Sequence, residues 1–194
     1  MEIYLIRHTT PDIPKGTVYG RLDIPLVNTF EIEVKDILQK LPDALDAVYT
    51  SPSQRCKHLA DKLYSRKNII DPRLMEYNFG EWEGLKWENI EETQLQIWMD
   101  DFVNQSPPGG ENMSEMQQRV LSVWQEILQT KQEQIALVTH GGVIRLLLAH
   151  LENVPLERSF ERKLNYGALF HIQIQQHSTL QKNEPGNSIR FSQL

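Results

Sequence analysis

Histidine and arginine side chains follow three of the predicted strands, each at the point where the strand ends. Arg7 and His8 follow the apolar run MEIYLI, Arg55 lies in TSPSQR after the strand DAVYT, and His140 follows QIALVT. The carboxyl ends of parallel strands meet at one edge of a sheet, where ligands of α/β proteins bind. We therefore expect these four side chains to converge, and their guanidinium forks and imidazoles suit a phosphate dianion.

A histidine held beside a phosphate can attack phosphorus and form a covalent intermediate. The attacking ring must be neutral, its other nitrogen should be held by an acceptor such as a backbone carbonyl, and nearby arginines favour the neutral form. The amides of Gly141 and Gly142 begin the next predicted helix, and we expect them to add donors for the anion. These features predict phosphoryl transfer, in which positioning and charge neutralisation supply most of the catalysis.

A leaving alkoxide needs a proton, and the stretch RLMEYNFGEWEG supplies three carboxylic acids for that role. A general acid at this place would need a pKa raised by burial or by the bound phosphate. The residue types alone do not choose among Glu76, Glu81 and Glu83.

The elements that must position these groups alternate along the chain. The patterns predict strands at 2–6, 46–50, 69–70, 134–139 and 168–175, and helices at 29–41, 53–66, 87–103, 114–130 and 143–151. This order predicts an α/β fold, a three-layer α/β/α sandwich with a mostly parallel central sheet. We expect a single domain over residues 1–194, with a helical cap insertion at roughly 76–131 and a polar end from 177 that frays or adds an edge strand.

Composition limits the partners and the setting. The chain has 194 residues, a formal net charge of −6 and no basic run, which argues against a nucleic-acid surface. A single cysteine, no leader-like start and no apolar stretch of membrane length favour the cytoplasm and no membrane partner. No metal-ligand or nucleotide-loop motif is present, so we expect no metal and no cofactor. The oligomeric state stays open, with a homodimer as one option.

Five ordered pieces of the sequence carry a family resemblance: IRHTT, TSPSQR, LMEYNFGEWEG, PPGGEN and VTHGG. In these pieces the chain resembles the histidine phosphatases of the phosphoglycerate-mutase-like superfamily. The resemblance implies that His8 becomes phosphorylated, that Arg7, Arg55 and His140 grip the phosphate, and that Glu76 is the proton donor. It also implies a structural role for Glu83.

A longer segment, RHTTPDIPKGTVYGRLDIPLVNTF, is similar to the α-ribazole phosphatases within that superfamily. This similarity implies hydrolysis of α-ribazole 5′-phosphate to α-ribazole in the assembly of the cobalamin nucleotide loop. Tyr19, Arg21 and Asp23 are then candidates for framing the sugar and base, and a purely structural role in the loop is an equal alternative. Asn112 stands where relatives usually have serine.

Three alternatives remain open at this stage. A broad-specificity phosphomonoesterase or a phosphoglycerate mutase would use the same chemistry, although mutases of this superfamily tend to be longer chains. A catalytically silent phosphate-binding module is a third, disfavoured because both the nucleophile and the acid candidates are present. Phosphate release from a panel of substrates distinguishes a broad-specificity phosphomonoesterase from a mutase. Loss of turnover on replacing His8 distinguishes an enzyme from a silent phosphate-binding module.

Overall fold

Short apolar runs such as YLI and IALV, together with the alternating pattern of LFHIQIQ, form strands of one sheet. Six strands lie in the part of the chain that the structure describes, residues 1–175 and 188–194 of a computed structural model. The strands are β1 (Glu2–Arg7), β2 (Ala47–Thr50), β3 (Asn68–Ile70), β4 (Gln134–Thr139), β5 (Leu169–Gln175) and β6 (Ser188–Gln193). The helices are α1 (Phe30–Leu38), α2 (Gln54–Ala60), α3 (Glu92–Asp100), α4 (Met113–Leu128) and α5 (Gly141–Glu152). Short 3₁₀ segments lie at Pro72–Leu74, Gly80–Trp82, Trp87–Asn89 and Leu156–Glu161.

The sheet has the order β3-β2-β4-β1-β5-β6. Neighbours among β3, β2, β4 and β1 pair in parallel, whereas β5 is antiparallel to β1 and β6 is antiparallel to β5. The predicted mostly parallel sheet is confirmed. The edge strand expected near the end of the chain is β6, and residues 176–187, including His177, lie outside the described residues.

Successive side chains of a strand point to opposite faces, and each face of this sheet is covered by helices. Ile3 and Leu5 of β1 belong to a core shared with α4 and α5, whereas Tyr4 and Ile6 pack in a second core with α1 and α2. Full burial of each such aliphatic side chain contributes about 1.5–3 kcal/mol to folding. The three-layer architecture thus follows from the period of two in the strands.

Helix α4 falls within the segment predicted as a cap, and it packs on the sheet. Met113, Met116 and Val120 of α4 are fully buried against the sheet, so α4 belongs to the layer that also contains α5. In the segment before α4, the helix α3 buries none of its residues completely. The sequence stretch predicted as one helix at 87–103 is a 3₁₀ turn followed by α3.

The start of α4 shows why Asn112 is tolerated. The structure forms a capping box between Asn112 and Glu115. The Asn112 side chain accepts from the Glu115 amide at 2.8 Å, and the Glu115 carboxylate accepts from the Asn112 amide at 2.9 Å. Asparagine is among the strongest N-cap residues, so it caps the helix well.

Candidate active site

The carboxyl ends of β1, β2 and β4 lie side by side because these strands pair in register. Arg7 pairs with Thr139, and Thr50 pairs with Val138. The next residues, His8, Ser51 and His140, therefore emerge at the same edge, where all three are buried. The rings of the two histidines lie 5.3 Å apart between centroids. The predicted convergence of distant segments is found.

Arg55 joins the two histidines. Its side chain is fully buried in the first turn of α2, and its Nε lies 3.3 Å from His8 Nε2 while its Nη2 lies 3.2 Å from His140 Nδ1. The guanidinium also donates to the carbonyls of Gly20 and Leu22. Because a guanidinium only donates, both facing histidine nitrogens must be acceptors.

His8 is held in one tautomer. Its Nδ1 donates to the carbonyl of Thr9 at 2.7 Å, so Nε2 carries no hydrogen and its lone pair accepts from Arg55 Nε in the pocket. Burial, followed by the guanidinium of Arg55 and to a smaller extent that of Arg7, lowers the pKa of His8 to about 3, and the hydrogen bond to the Thr9 carbonyl acts in the opposite direction. The ring is therefore neutral at physiological pH, as a nucleophile must be.

His140 is neutral for similar reasons. Burial, followed by the nearby His8 and Arg55, lowers its pKa well below the usual value. Its Nδ1 accepts from Arg55, so Nε2 carries the hydrogen and donates to Ser51 Oγ at 2.8 Å. A ring held this way can supply a hydrogen bond without carrying a charge.

Arg7 approaches the same pocket from the other side. Its guanidinium stacks 4.0 Å above the ring of Tyr166 and donates to the carbonyl of Leu164 at 2.6 Å. Within the described residues, Arg7 Nε is buried without a hydrogen-bond partner. A buried donor of this kind has unused capacity for an anion. The sequence offered no signal for Tyr166, whose hydroxyl meets that of Tyr19.

The side chain of Glu76 contacts the first turn of α5 from a separate loop. Its carboxylate accepts from the Gly142 amide at 3.0 Å and from the Tyr77 amide at 2.9 Å. The amide of Gly142, expected to serve the phosphate, thus holds Glu76 instead. Gly141 lies beside Arg7 and Arg145, and a Cβ there would come 3.3 Å from Arg7 Cζ. Both glycines allow side chains of other segments to approach the helix end closely.

The loop that carries Glu76 is held by Arg119, which sequence reasoning missed. Arg119 donates to the backbone carbonyls of Arg73, Met75 and Glu76, and it forms an ion pair of 2.6 Å with Glu111 of the PPGGEN piece. The only sequence signal was its place on the buried side of a predicted helix.

Arg21 joins this cluster, because its guanidinium lies 3.3 Å from Glu111 and does not meet the histidines. A contact of Arg21 with substrate stays a prediction, and among the described residues its Nε is buried without a hydrogen-bond partner. Asp23 accepts from the Gln54 amide at 3.0 Å at the start of α2, which is a structural contact. Tyr19 remains at the pocket, with its ring 5.7 Å from the Arg55 guanidinium.

The other two glutamates have different surroundings. Glu83 accepts from the amides of Gly20, Arg21 and Leu22, and so ties the loop that carries Tyr19 to its own segment. Glu81 is exposed. Of the three candidate acids, only Glu76 lies at the strand-end pocket with the histidines.

Two further observations concern ligands and membranes. In residues 1–175 and 188–194, no group of three or more histidine, cysteine, aspartate or glutamate side chains is arranged to hold a metal ion. Across the same described ranges, no helix combines the length and apolar character needed to cross a bilayer.

The pocket geometry and the fold agree with one class of protein, and a profile of the histidine phosphatase superfamily, branch 1, matches residues 3–183. The chain belongs to the histidine phosphatase superfamily. The α-ribazole phosphatase of Shigella flexneri superposes with a TM-score of 0.80 at 26% identity, over 91% of this chain and 92% of that one.

Curated relatives point to more than one activity. A protein of Hydrogenobacter thermophilus provisionally named phosphoserine phosphatase 2 is 26% identical over 90% of both chains. A 2,3-bisphosphoglycerate-dependent phosphoglycerate mutase of Brucella melitensis is 27% identical over 94% of this chain and 96% of its own. The Brucella mutase matches this chain almost end to end, so chain length does not separate this protein from that mutase.

Proposed function

We propose that the protein is a phosphomonoesterase that hydrolyses a small phosphate ester through phosphohistidine at His8. The observation that carries the proposal is Arg55, which donates to His8 Nε2 and His140 Nδ1 at once and so holds both rings neutral beside a buried positive charge. A phosphate that enters this pocket would exchange those contacts for charge-assisted hydrogen bonds from Arg55 and Arg7 Nε, and His140 would join them with a hydrogen on its Nδ1.

In the first step, His8 Nε2 attacks phosphorus in line and the bond between phosphorus and the ester oxygen breaks. Glu76 acts as the general acid and gives a proton to the departing oxygen. The phosphorylated ring becomes positive, and the Thr9 carbonyl accepts its Nδ1 hydrogen throughout. Arg7 and Arg55 neutralise the charge on the equatorial phosphate oxygens, where electrostatic stabilisation has its largest effect.

In the second step, water attacks phosphorus and gives a proton to the Glu76 carboxylate. The bond between nitrogen and phosphorus breaks, inorganic phosphate forms, and His8 returns neutral. The amides of Gly142 and Tyr77 hold the carboxylate in one orientation for both proton transfers.

For the substrate we propose α-ribazole 5′-phosphate. The support is the VYGRLDIPL segment of the sequence together with the similarity to the Shigella enzyme. Tyr19 is the member of that segment at the pocket, so it is the candidate contact to the sugar. A mutase or a phosphoserine phosphatase is the second candidate, favoured by the Brucella and Hydrogenobacter relatives. The reducing cytoplasm remains the proposed setting.

The chemistry is tested by mixing the enzyme with a ³²P-labelled ester, stopping the reaction at short times and locating the residue that carries acid-labile, base-stable phosphate. We expect label on His8 in the wild type and in a His58→Asn control, since His58 is exposed. His8→Ala should lose both label and turnover. Label elsewhere would contradict the mechanism.

The test of the substrate compares phosphate release from α-ribazole 5′-phosphate, phosphoserine and 3-phosphoglycerate. We expect the highest kcat/KM for α-ribazole 5′-phosphate. Isomerisation of 3-phosphoglycerate without phosphate release would contradict the proposed phosphatase activity and show that the protein is a mutase.

A further inference from the structure

The ring of Tyr166 lies beside the two residues that end the first strand. The guanidinium carbon of Arg7 is 4.0 Å from the centroid of this ring, and the ring of His8 is 5.6 Å away at a tilt of 37°. The segment that carries Tyr166 is tied to the same strand end, because the Gly167 amide donates to the His8 carbonyl at 3.1 Å. Tyr166 thus adjoins the proposed nucleophile, although it lies outside the five sequence pieces that carry the family resemblance.

Neutral groups orient the guanidinium of Arg7. Its Nη1 donates to the Leu164 carbonyl at 2.6 Å, and its face rests on the ring of Tyr166. Among the side chains that the structure describes, no carboxylate forms an ion pair with Arg7, whereas Arg73 and Arg119 each pair with a glutamate. A carboxylate would neutralise the guanidinium and compete with phosphate for its donors. An aromatic ring orients the guanidinium and leaves its charge and its N–H groups available.

The hydroxyl of Tyr166 extends this support toward the second arginine of the pocket. It forms a hydrogen bond with the hydroxyl of Tyr19, whose ring lies 5.7 Å from the guanidinium of Arg55. Arg55 is also oriented by neutral groups, since it donates to the backbone carbonyls of Gly20 and Leu22. A pair of tyrosines therefore connects the two sides of the pocket that carry the guanidiniums.

We propose that Tyr166 is a positioning residue, whose ring holds the Arg7 guanidinium in the orientation in which it binds the phosphoryl group. The proposal rests on the proposed phosphatase function. An arginine that is already ordered loses little conformational entropy when an anion binds, whereas a free arginine must be ordered by the anion itself. The ring of Tyr166 therefore raises the affinity for phosphate and the rate with phosphate esters, whatever their leaving group.

The test measures the binding of inorganic phosphate by calorimetry and kcat/KM for p-nitrophenyl phosphate. Tyr166→Leu and Tyr166→Met remove the ring, and each should weaken phosphate binding and lower kcat/KM by about tenfold. Tyr166→Phe keeps the face that contacts Arg7, so it should retain most of the affinity and rate of the wild type. Tyr64→Leu is the matched control, because Tyr64 is 80% exposed, and it should behave as the wild type.

A double-mutant cycle shows whether the ring acts through Arg7. Lysine keeps the charge at this position but lacks the planar group that stacks on the ring. Tyr166→Leu should therefore lower phosphate affinity much less in an Arg7→Lys background than in the wild type. Equal losses in the two backgrounds would overturn the proposal, and so would equal losses in Tyr166→Phe and Tyr166→Leu. Thermal melts of each variant verify folding.

The two measurements separate this proposal from the proposed function. Turnover by the wild type, with unchanged phosphate affinity and kcat/KM in both ring-less variants, would reject the role of Tyr166 and leave the phosphatase function intact. Weaker phosphate binding in both ring-less variants, with no turnover of any ester by the wild type, would remove the phosphatase function and keep Tyr166 as the support of an anion-binding arginine. Absence of both phosphate binding and turnover in the wild type would overturn both.

Discussion

Replacement of Gly142 by alanine tests the placement of the proposed acid with one methyl group. A Cβ at this position would lie 2.2 Å from Glu76 Oε1 and 3.2 Å from Met116 Cε. The oxygen must move by about 1 Å to restore an ordinary contact, while the flexible methionine can adjust. Gly142 lies in the first turn of α5 without a positive φ, so alanine brings no backbone strain and gains up to about 1 kcal/mol of helix propensity.

A displacement of about 1 Å at a reacting group lowers the rate by about a hundredfold, and a general acid contributes about 10²–10⁴-fold. We therefore expect Gly142→Ala to lower kcat/KM for an alkyl phosphate by about a hundredfold. For p-nitrophenyl phosphate, whose leaving group needs no proton, the loss should stay below about tenfold. Steady-state phosphate release with both esters measures this difference, and kcat/KM reports the phosphorylation step alone.

A double-mutant cycle locates the effect. If the methyl group acts only through the carboxylate, Glu76→Gln combined with Gly142→Ala should lose no more activity than Glu76→Gln alone. Thermal melts of each variant verify folding. Equal losses for the alkyl and nitrophenyl esters, or additive losses in the double variant, would refute the assignment of Glu76 as the acid held by this amide.

Three other predictions concern stability and reactivity. Because the pKa of His8 falls from 6.5 in the unfolded chain to about 3 when folded, the unfolded chain binds the extra proton between these values. The free energy of unfolding is therefore unaffected by this titration above pH 6.5. It falls by up to roughly 4–5 kcal/mol as the pH is lowered from 6.5 toward 3. Urea unfolding at pH values from 7 to 4 should show this loss in the wild type and a smaller loss in His8→Asn. Parallel plots of the free energy of unfolding against pH for the two proteins would contradict the prediction. Glu83→Ala should lower the free energy of unfolding by about 3 kcal/mol, since three loop amides lose their acceptor; an unchanged urea midpoint would show that water replaces the carboxylate. The thiol of Cys56 is buried with a raised pKa, so Ellman's reagent should react with it only after unfolding, and rapid reaction of the native protein would contradict this packing.

Local patterns in the sequence were sufficient for much of the fold. Strand β4 has the predicted bounds, since its apolar run is continuous and buried on both faces. The helices α1 and α2 end earlier than their apolar periodicity indicates, because periodicity does not report where capping or packing ends a helix. The sequence pattern of α4 did not indicate that this helix packs on the sheet, because any surface helix has such an amphipathic pattern and the layer it meets depends on the tertiary structure.

The sequence by itself determined which residue types stand at the strand ends, and so the convergence of Arg7, His8, Arg55 and His140 at one edge of a parallel sheet. Only the tertiary structure decided which glutamate joins them, because Glu76, Glu81 and Glu83 are chemically identical and differ in the amides and rings around them. It also turned Arg21 toward Glu111 and brought Tyr166 beneath Arg7. Periodicity and propensity act over a few residues, whereas these contacts join segments far apart in the chain and depend on how closely the folded backbone lets them approach.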